Sequence, residues 1–367
     1  GEVGAGQVPF VSKELSSKIC LSATQCVGFM TEHEYYDEAL LCADIVPVLS
    51  LICRLIILER GFEASFNLFP AKLEGEEEAL LFLVNNDAVY SVLDCVKDLS
   101  ANDEIESYFA AEGMVEMVTT FLRTTNCASE ITNVAIIALA NLTTNAALHP
   151  SAASHHECVL PAMTILISAD AVKHSKESAA AVLRNLSADS RTAHYVAEEE
   201  GAIARVVDAL RTDDDVPVWK KNMTFLARKD LIGVLRNLST HDDWDEELVA
   251  HGAVSVLLDS MGRNFASKKC NEDLIESCAI AIRNLAVNEN VAHVVVAHGL
   301  SSLANTVLSK VQPAGGTVLR KLAIRCHRGA IKAIENVALF AEEHHVAEFI
   351  ASKTIACLVG VLEDDEM

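Results

Sequence analysis

One ten-residue phrase returns along the chain at long intervals. IIALANLTTN ends at Asn145, AAVLRNLSAD at Asp189, IGVLRNLSTH at His241 and AIAIRNLAVN at Asn288, with a weaker copy, AIKAIENVAL, ending at Leu339. The shared asparagine falls at Asn141, Asn185, Asn237, Asn284 and Asn336, at intervals of 44, 52, 47 and 52 residues. Asp98, in SVLDCVKDLSAND, stands 43 residues before Asn141 and extends the series backwards. A period in the forties, with apolar residues at helical spacing, predicts helical units stacked along an axis.

A second phrase follows each copy of the first. FAAEGMVEMVTTFL, VAEEEGAIARVVDAL, LVAHGAVSVLLDSM and VVAHGLSSLANTVL each place a glycine, Gly113, Gly201, Gly252 or Gly299, between a short helical stretch and a longer one. Glycine suits such a position because a sharp turn between helices calls for a left-handed backbone. Each unit therefore reads as a short helix, a medium helix starting near the glycine, and a long helix ending at the asparagine. The copy after Asn141 departs from this, with HECVLPAM where a glycine is expected, and Pro161 is read as beginning that helix.

Composition agrees with an all-α reading. Hydrophobic residues make up 51% of the 367 but aromatics only 5%, so the core is built from small aliphatic side chains that suit close helix packing. Seven Pro and 16 Gly are too few to punctuate a barrel or sandwich of many short strands. The formal net charge of −23 repels a phosphate backbone, which argues against nucleic acid. Apolar runs such as Ile45 to Leu58 are too short, or broken by Arg54, to span a bilayer, which needs about 20 residues. Gly1 to Gly6 lack the charged start and apolar run of a signal peptide.

The pairing of a Gly-Ala-Ile or Gly-Ala-Val helix start with a Leu-Arg-Asn-Leu-Ser ending resembles the armadillo-repeat family, over roughly Ala79 to Leu362. That resemblance implies an all-α, right-handed superhelical solenoid of stacked three-helix repeats. The expected organisation is an N-terminal cap over 1–58, a linker or loop over 59–78, about six repeats over 79–363 and an acidic tail over 364–367. Ile19 to Leu58 resembles a degenerate first repeat, with Gly28 near the Asn position and Cys42-Ala43-Asp44-Ile45 near the Gly position. Phe62, Phe66, Phe69 and Pro70 give the linker an apolar half, and Glu74-Gly75-Glu76-Glu77-Glu78 an acidic one.

Armadillo proteins are similar in carrying such asparagines along a concave groove, so Asn141, Asn185, Asn237, Asn284 and Asn336 are candidate partner-binding residues. An amide there has a donor and an acceptor to offer an extended peptide main chain; the competing role is to tie its helix end to the next turn. Arg184, Arg236 and Arg283 directly precede their asparagines, and Lys97 precedes Asp98. Stepping back from Asn336 at helical spacing finds Lys332, Arg328, Arg325 and Lys321, a basic stripe that either meets a ligand or faces solvent. Guanidinium groups pair with carboxylates or phosphates, so the expected partner is an extended protein segment, acidic or phosphorylated. This resembles a catenin groove more than an importin groove. Importins have a Trp four residues before the Asn, where this chain has Ile137, Ala181, Gly233, Ile280 and Lys332.

Arg211 to Lys229, Gly262 to Asp273 and Ser309 to Arg320 read as long joints, all emerging on one edge. Trp219, with Lys220 and Lys221, lies in the first and is either a contact point or folded onto its neighbours. The 11 cysteines form no CxxC pair and read as reduced core residues, which points to the cytoplasm, with the nucleus open. His155-His156 and His344-His345 are adjacent on helices and diverge, so no metal is expected. No cofactor is expected either, because phosphate-binding loops and catalytic motifs are missing from the sequence. The chain reads as a non-catalytic scaffold or adaptor. The alternative is a regulatory domain sensing an anionic metabolite such as a nucleotide, as in domains resembling those of the SARM family of NAD hydrolases.

Overall fold

The computed structural model describes residues 45–59, 86–102, 108, 109, 111–124, 130–144, 152–211, 223–266, 271–287, 292, 294, 295, 303, 329–339, 349, 350, 354 and 355. Among the described residues every regular element is a helix. The chain forms two units, Gly1–Asn185 and Leu186–Met367.

The first unit contains α1 (Ile45–Glu59), α2 (Asn86–Leu99), α3 (Met114–Thr124), α4 (Glu130–Leu142), α5 (Ala152–Ile167) and most of α6 (Lys173–Ala188). Its helices pack in two layers. The medium helices α1, α3 and α5 stack in sequence, the long helix α2 lies on α4, and α1 and α3 join the layers by packing on α2 and α4. α4 shows why the sequence settles this way. Ile131, Val134, Ala135, Ala138, Leu139 and Leu142 recur at three- and four-residue spacing and are buried, and burying a Leu or Ile contributes about 2 kcal/mol.

The second unit contains α7 (Ala193–Glu198), α8 (Ala202–Leu210), α9 (Phe225–Leu238), a 3-10 turn at Asp242–Trp244, α10 (Asp245–Ala250), α11 (Ala253–Ala266), α12 (Glu272–Leu285) and α13 (329–339). The same layering recurs, with α8 on α11, α9 on α12, and the short α7 and α10 packed against α8 and α11. Thr224 caps α9 by accepting from Ala227 N–H, and Asn271 caps α12 by accepting from Leu274 N–H. At buried Gly329 a Cβ would stand 3.1 Å from Ala279 Cβ, so α13 comes close to α12 where no side chain intervenes.

Gly113, Gly201 and Gly252 have φ of 71°, 70° and 87°, the left-handed turns expected between short and medium helices. Two expectations are corrected. Pro161 does not begin a helix: it lies inside α5, which runs from Ala152. Proline there forgoes a helical hydrogen bond; the interruption sits in a well-buried turn, with Cys158, Val159, Ala162 and Met163 in the core. Gly262 does not open a joint, since α11 continues to Ala266. Buried Asn264 then braces the connection, donating to Asn271 O at 2.6 Å and accepting from Asn271 N–H at 3.1 Å. Gly28, Gly299, Cys42 to Asp44, Trp219 to Lys221, the stretch 60–78 and Ser309 to Arg320 lie outside the described residues.

Candidate functional site

Each recurring asparagine sits in the last turn of a long helix, and its amide nitrogen reaches the preceding repeat. Asn141 Nδ2 donates to Lys97 O at 3.0 Å and Ser100 Oγ at 3.3 Å. Asn185 Nδ2 donates to Ala140 O at 3.1 Å and Thr143 Oγ1 at 3.4 Å. In the second unit Asn237 donates to Ser187 Oγ at 3.1 Å, Asn284 to Ser239 Oγ at 3.2 Å and Asn336 to Arg283 O at 3.0 Å.

These partners occupy fixed registers. The carbonyl belongs to the residue just before the previous asparagine, or before Asp98 in the first case, and the hydroxyl stands two residues after it. The Asn-Leu-Ser/Thr phrase is thus a two-sided connector: its asparagine reaches back and its hydroxyl receives the next asparagine. Ser/Thr at this register had recurred in the sequence and is the signal that reading missed. The tie to neighbouring main chain is realised between repeats.

Adjacent long helices are also joined at their N-terminal halves. Ser175 Oγ on α6 donates to Asn133 Oδ1 on α4, and Lys229 Nζ on α9 pairs with Asp273 on α12 at 3.1 Å.

The cations beside the asparagines differ in how they are held. Arg184 Nη2 donates to Asn185 Oδ1 at 3.2 Å. Arg283 is half-buried and directs Nε and Nη2 at Asn284 Oδ1, at 3.2 and 2.9 Å. Both amides are therefore bonded within the protein through nitrogen and oxygen alike. Arg236 is exposed; its carbonyl accepts from Ser239 Oγ at 2.8 Å, and its guanidinium makes no hydrogen bond or ion pair among the described residues. Lys97 is shared by Asp94 at 2.6 Å and Asp98 at 3.1 Å, and Lys332 pairs with Glu335 at 2.8 Å. Lys321, Arg325 and Arg328, the rest of the basic stripe, lie outside the described residues. Where importins carry Trp, Ile137, Ala181, Gly233 and Ile280 are half-buried and Lys332 is exposed.

Groups with shifted acidity stand elsewhere. Burial pushes the thiols of Cys53, Cys95 and Cys158 up to about 12, and all three are core residues that take part in no disulfide. Such thiols stay protonated and are poor nucleophiles. Burial pulls the Lys176 amine down to about 8, where it donates to Leu166 O at 2.9 Å near the end of α5. Asp245, buried at the start of α10, is pushed up to about 6 by desolvation and by Asp242. Among the described residues no group of three His, Cys, Asp or Glu side chains could hold a metal ion, and no helix is long and apolar enough to cross a membrane.

No family model and no curated protein matches the sequence. Solved structures do match. One, from a study of a conserved phosphorylation switch controlling the interaction between cadherin and beta-catenin, gives a TM-score of 0.67 at 15% identity, over 92% of this chain and 60% of that one. An engineered protein gives 0.63 at 15% identity, over 97% of this chain and 72% of the other. A designed armadillo repeat protein in complex with the peptide (KR)4 gives 0.50 at 16% identity, over 78% of this chain and 98% of that design.

Proposed function

We propose that this chain, an armadillo-repeat protein by its fold, is a non-catalytic scaffold or adaptor that holds an extended segment of a partner protein along its asparagine-bearing helix ends. The observation that carries this reading is the state of the cations there. Arg184 and Arg283 are oriented by the amides they touch, and the Arg236 guanidinium stands exposed with no partner among the described residues. In a chain of net charge −23, arginines recurring directly before Asn185, Asn237 and Asn284 favour an acidic or phosphorylated segment. Asn185 and Asn284 orient Arg184 and Arg283 and help fix the repeats, and the guanidinium groups make the charge-bearing contacts.

The printed partners of the solved relatives differ in chemistry: one study concerns a phosphorylation switch, and the designed protein holds a peptide of lysine and arginine. Sign is therefore a property of the side chains on the fold, and here arginines directly precede Asn185, Asn237 and Asn284. The burial of the thiols of Cys53, Cys95 and Cys158, which keeps them protonated, supports the non-catalytic reading. A cytoplasmic location and no nucleic-acid partner complete the proposal.

Arg236→Glu combined with Arg283→Glu tests it. The double variant should lose capture of the cellular partner by at least tenfold in a quantitative pull-down, with helicity and Tm held within a few degrees. Unchanged capture by a folded double variant overturns the reading.

A further inference from the structure

At the position just before each asparagine, the described helices of the second unit carry two arginines and then an acid: Arg236, Arg283 and Glu335. α9 packs on α12, and a line of hydrogen bonds joins Arg283 to the backbone of Arg236. Arg283 donates Nε and Nη2 to Asn284 Oδ1 at 3.2 and 2.9 Å, Asn284 Nδ2 donates to Ser239 Oγ at 3.2 Å, and Ser239 Oγ donates to Arg236 O at 2.8 Å. Near their N-terminal ends the same two helices are tied by Lys229 and Asp273 at 3.1 Å. Among the described residues neither guanidinium meets a carboxylate. Glu335, on α13, is paired with Lys332 at 2.8 Å. Between the two ties lie Gly233 and Ile280, each four residues before its asparagine and each half-buried. Leu226, seven residues before Gly233 and so on the same face of α9, leaves 51% of its surface exposed.

We propose that Arg236 and Arg283 together take one phosphorylated residue of the partner segment, with a neighbouring apolar residue of that segment resting over Gly233, against Leu226 and Ile280. The site rests on the scaffold reading and narrows its partner from an acidic or phosphorylated segment to a phosphorylated one. The distribution of charge decides for phosphate. A phosphoryl group carries about −1.5 to −2 charge at pH 7 on three acceptor oxygens, so it accepts from two guanidinium groups at once. A carboxylate brings a single charge, which one bidentate guanidinium satisfies. A run of carboxylates long enough to engage both arginines meets Glu335 when it continues onto α13, whereas one phosphoryl group needs only the pair on α9 and α12. Leu226 and the bare backbone of Gly233 decide for a peptide, since a free anion has no apolar part to cover them.

The test uses the 367-residue chain and calorimetric titration with four probes. These are a capped Gly-Leu-phosphoserine-Leu-Gly peptide, the same peptide with glutamate for phosphoserine, the phosphopeptide with glycine for both leucines, and inorganic phosphate. The first should bind at least tenfold more tightly than each of the others. Arg236→Gln should weaken it tenfold or more with Tm unchanged, because that guanidinium has no partner among the described residues to lose. Leu226→Ala should remove its advantage over the glycine peptide and leave the affinity for inorganic phosphate as it was. Equal binding of the phosphoserine and glutamate peptides overturns the proposal and leaves a scaffold for acidic segments standing; failure of the scaffold itself is read separately, as unchanged capture of the cellular partner by the Arg236→Glu, Arg283→Glu variant. Phosphopeptide binding that survives Arg236→Gln, or that is no tighter than the glycine peptide or inorganic phosphate, overturns the proposal as well.

Discussion

The two units use one connector and build it differently. In the first, Asn141 and Asn185 each donate to a carbonyl and to a hydroxyl of the preceding repeat. In the second, Asn284 is given a hydroxyl and Asn336 a carbonyl. The reason at Asn336 is a single residue. The hydroxyl register two residues after Asn284 is filled by Ala286, where Ser239 stands in the preceding copy. The N-terminal ties differ as well, a neutral Ser175–Asn133 bond in the first unit and a Lys229–Asp273 ion pair in the second. Repeat stacks are stabilised by nearest-neighbour interfaces, so a joint with fewer bonds is where a local opening should begin.

The largest expected effect separates the two kinds of joint. Asn185→Ala removes a donor from two acceptors, one of them on fully buried Thr143, and should cost about 2 kcal/mol. Asn336→Ala removes a donor from one and should cost about 1 kcal/mol. Urea unfolding of the two variants measures the difference. Equal losses would show that the second acceptor adds nothing and that the contrast between the units is one of geometry alone.

Much of this was legible in advance because it is local or strictly periodic. The asparagine spacing announced the repeat, and the glycines at 113, 201 and 252 announced left-handed turns that only a residue without Cβ adopts freely. What was not legible depends on chain segments some 45 residues apart meeting at hydrogen-bond distance. The asparagines offered two roles on sequence grounds, main-chain capture of a partner or a tie within the fold; the amide nitrogens make the second bond, and the arginines beside them carry the first role as a proposal. Pro161 misled because proline normally marks a helix start, and the burial around it outweighs that preference.

A smaller effect sharpens the comparison by repairing the weaker joint. Ala286 has φ −71° and ψ 0°, close to the −67° and −1° of Ser239 at the equivalent helix end. A serine there can adopt the Ser239 arrangement, in which the hydroxyl donates to the carbonyl three residues back and accepts the next asparagine. Ala286→Ser should therefore stabilise the second unit by about 0.5–1 kcal/mol, and the gain should vanish in the Asn336→Ala background. A gain that persists without Asn336 would assign the hydroxyl a capping role only.

The smallest effect concerns salt. Asp273 is exposed and Lys229 half-buried, with their charged ends reached by solvent, so their pair should be worth no more than about 0.5 kcal/mol at low ionic strength. Its distinguishing property is screening, which at 1 M salt acts over about 3 Å and should remove most of the attraction. The Ser175–Asn133 bond carries no net charge and has no such dependence. Lys229→Gln should accordingly destabilise the protein slightly in dilute buffer and not at all in 1 M sodium chloride, while Ser175→Ala should cost the same in both. Hydrogen exchange at the start of α12 and of α6 reads the two joints separately. If Lys229→Gln costs as much at high salt as at low, the contact works through its aliphatic stem packed between α9 and α12, and the charged and neutral ties would be equivalent in kind.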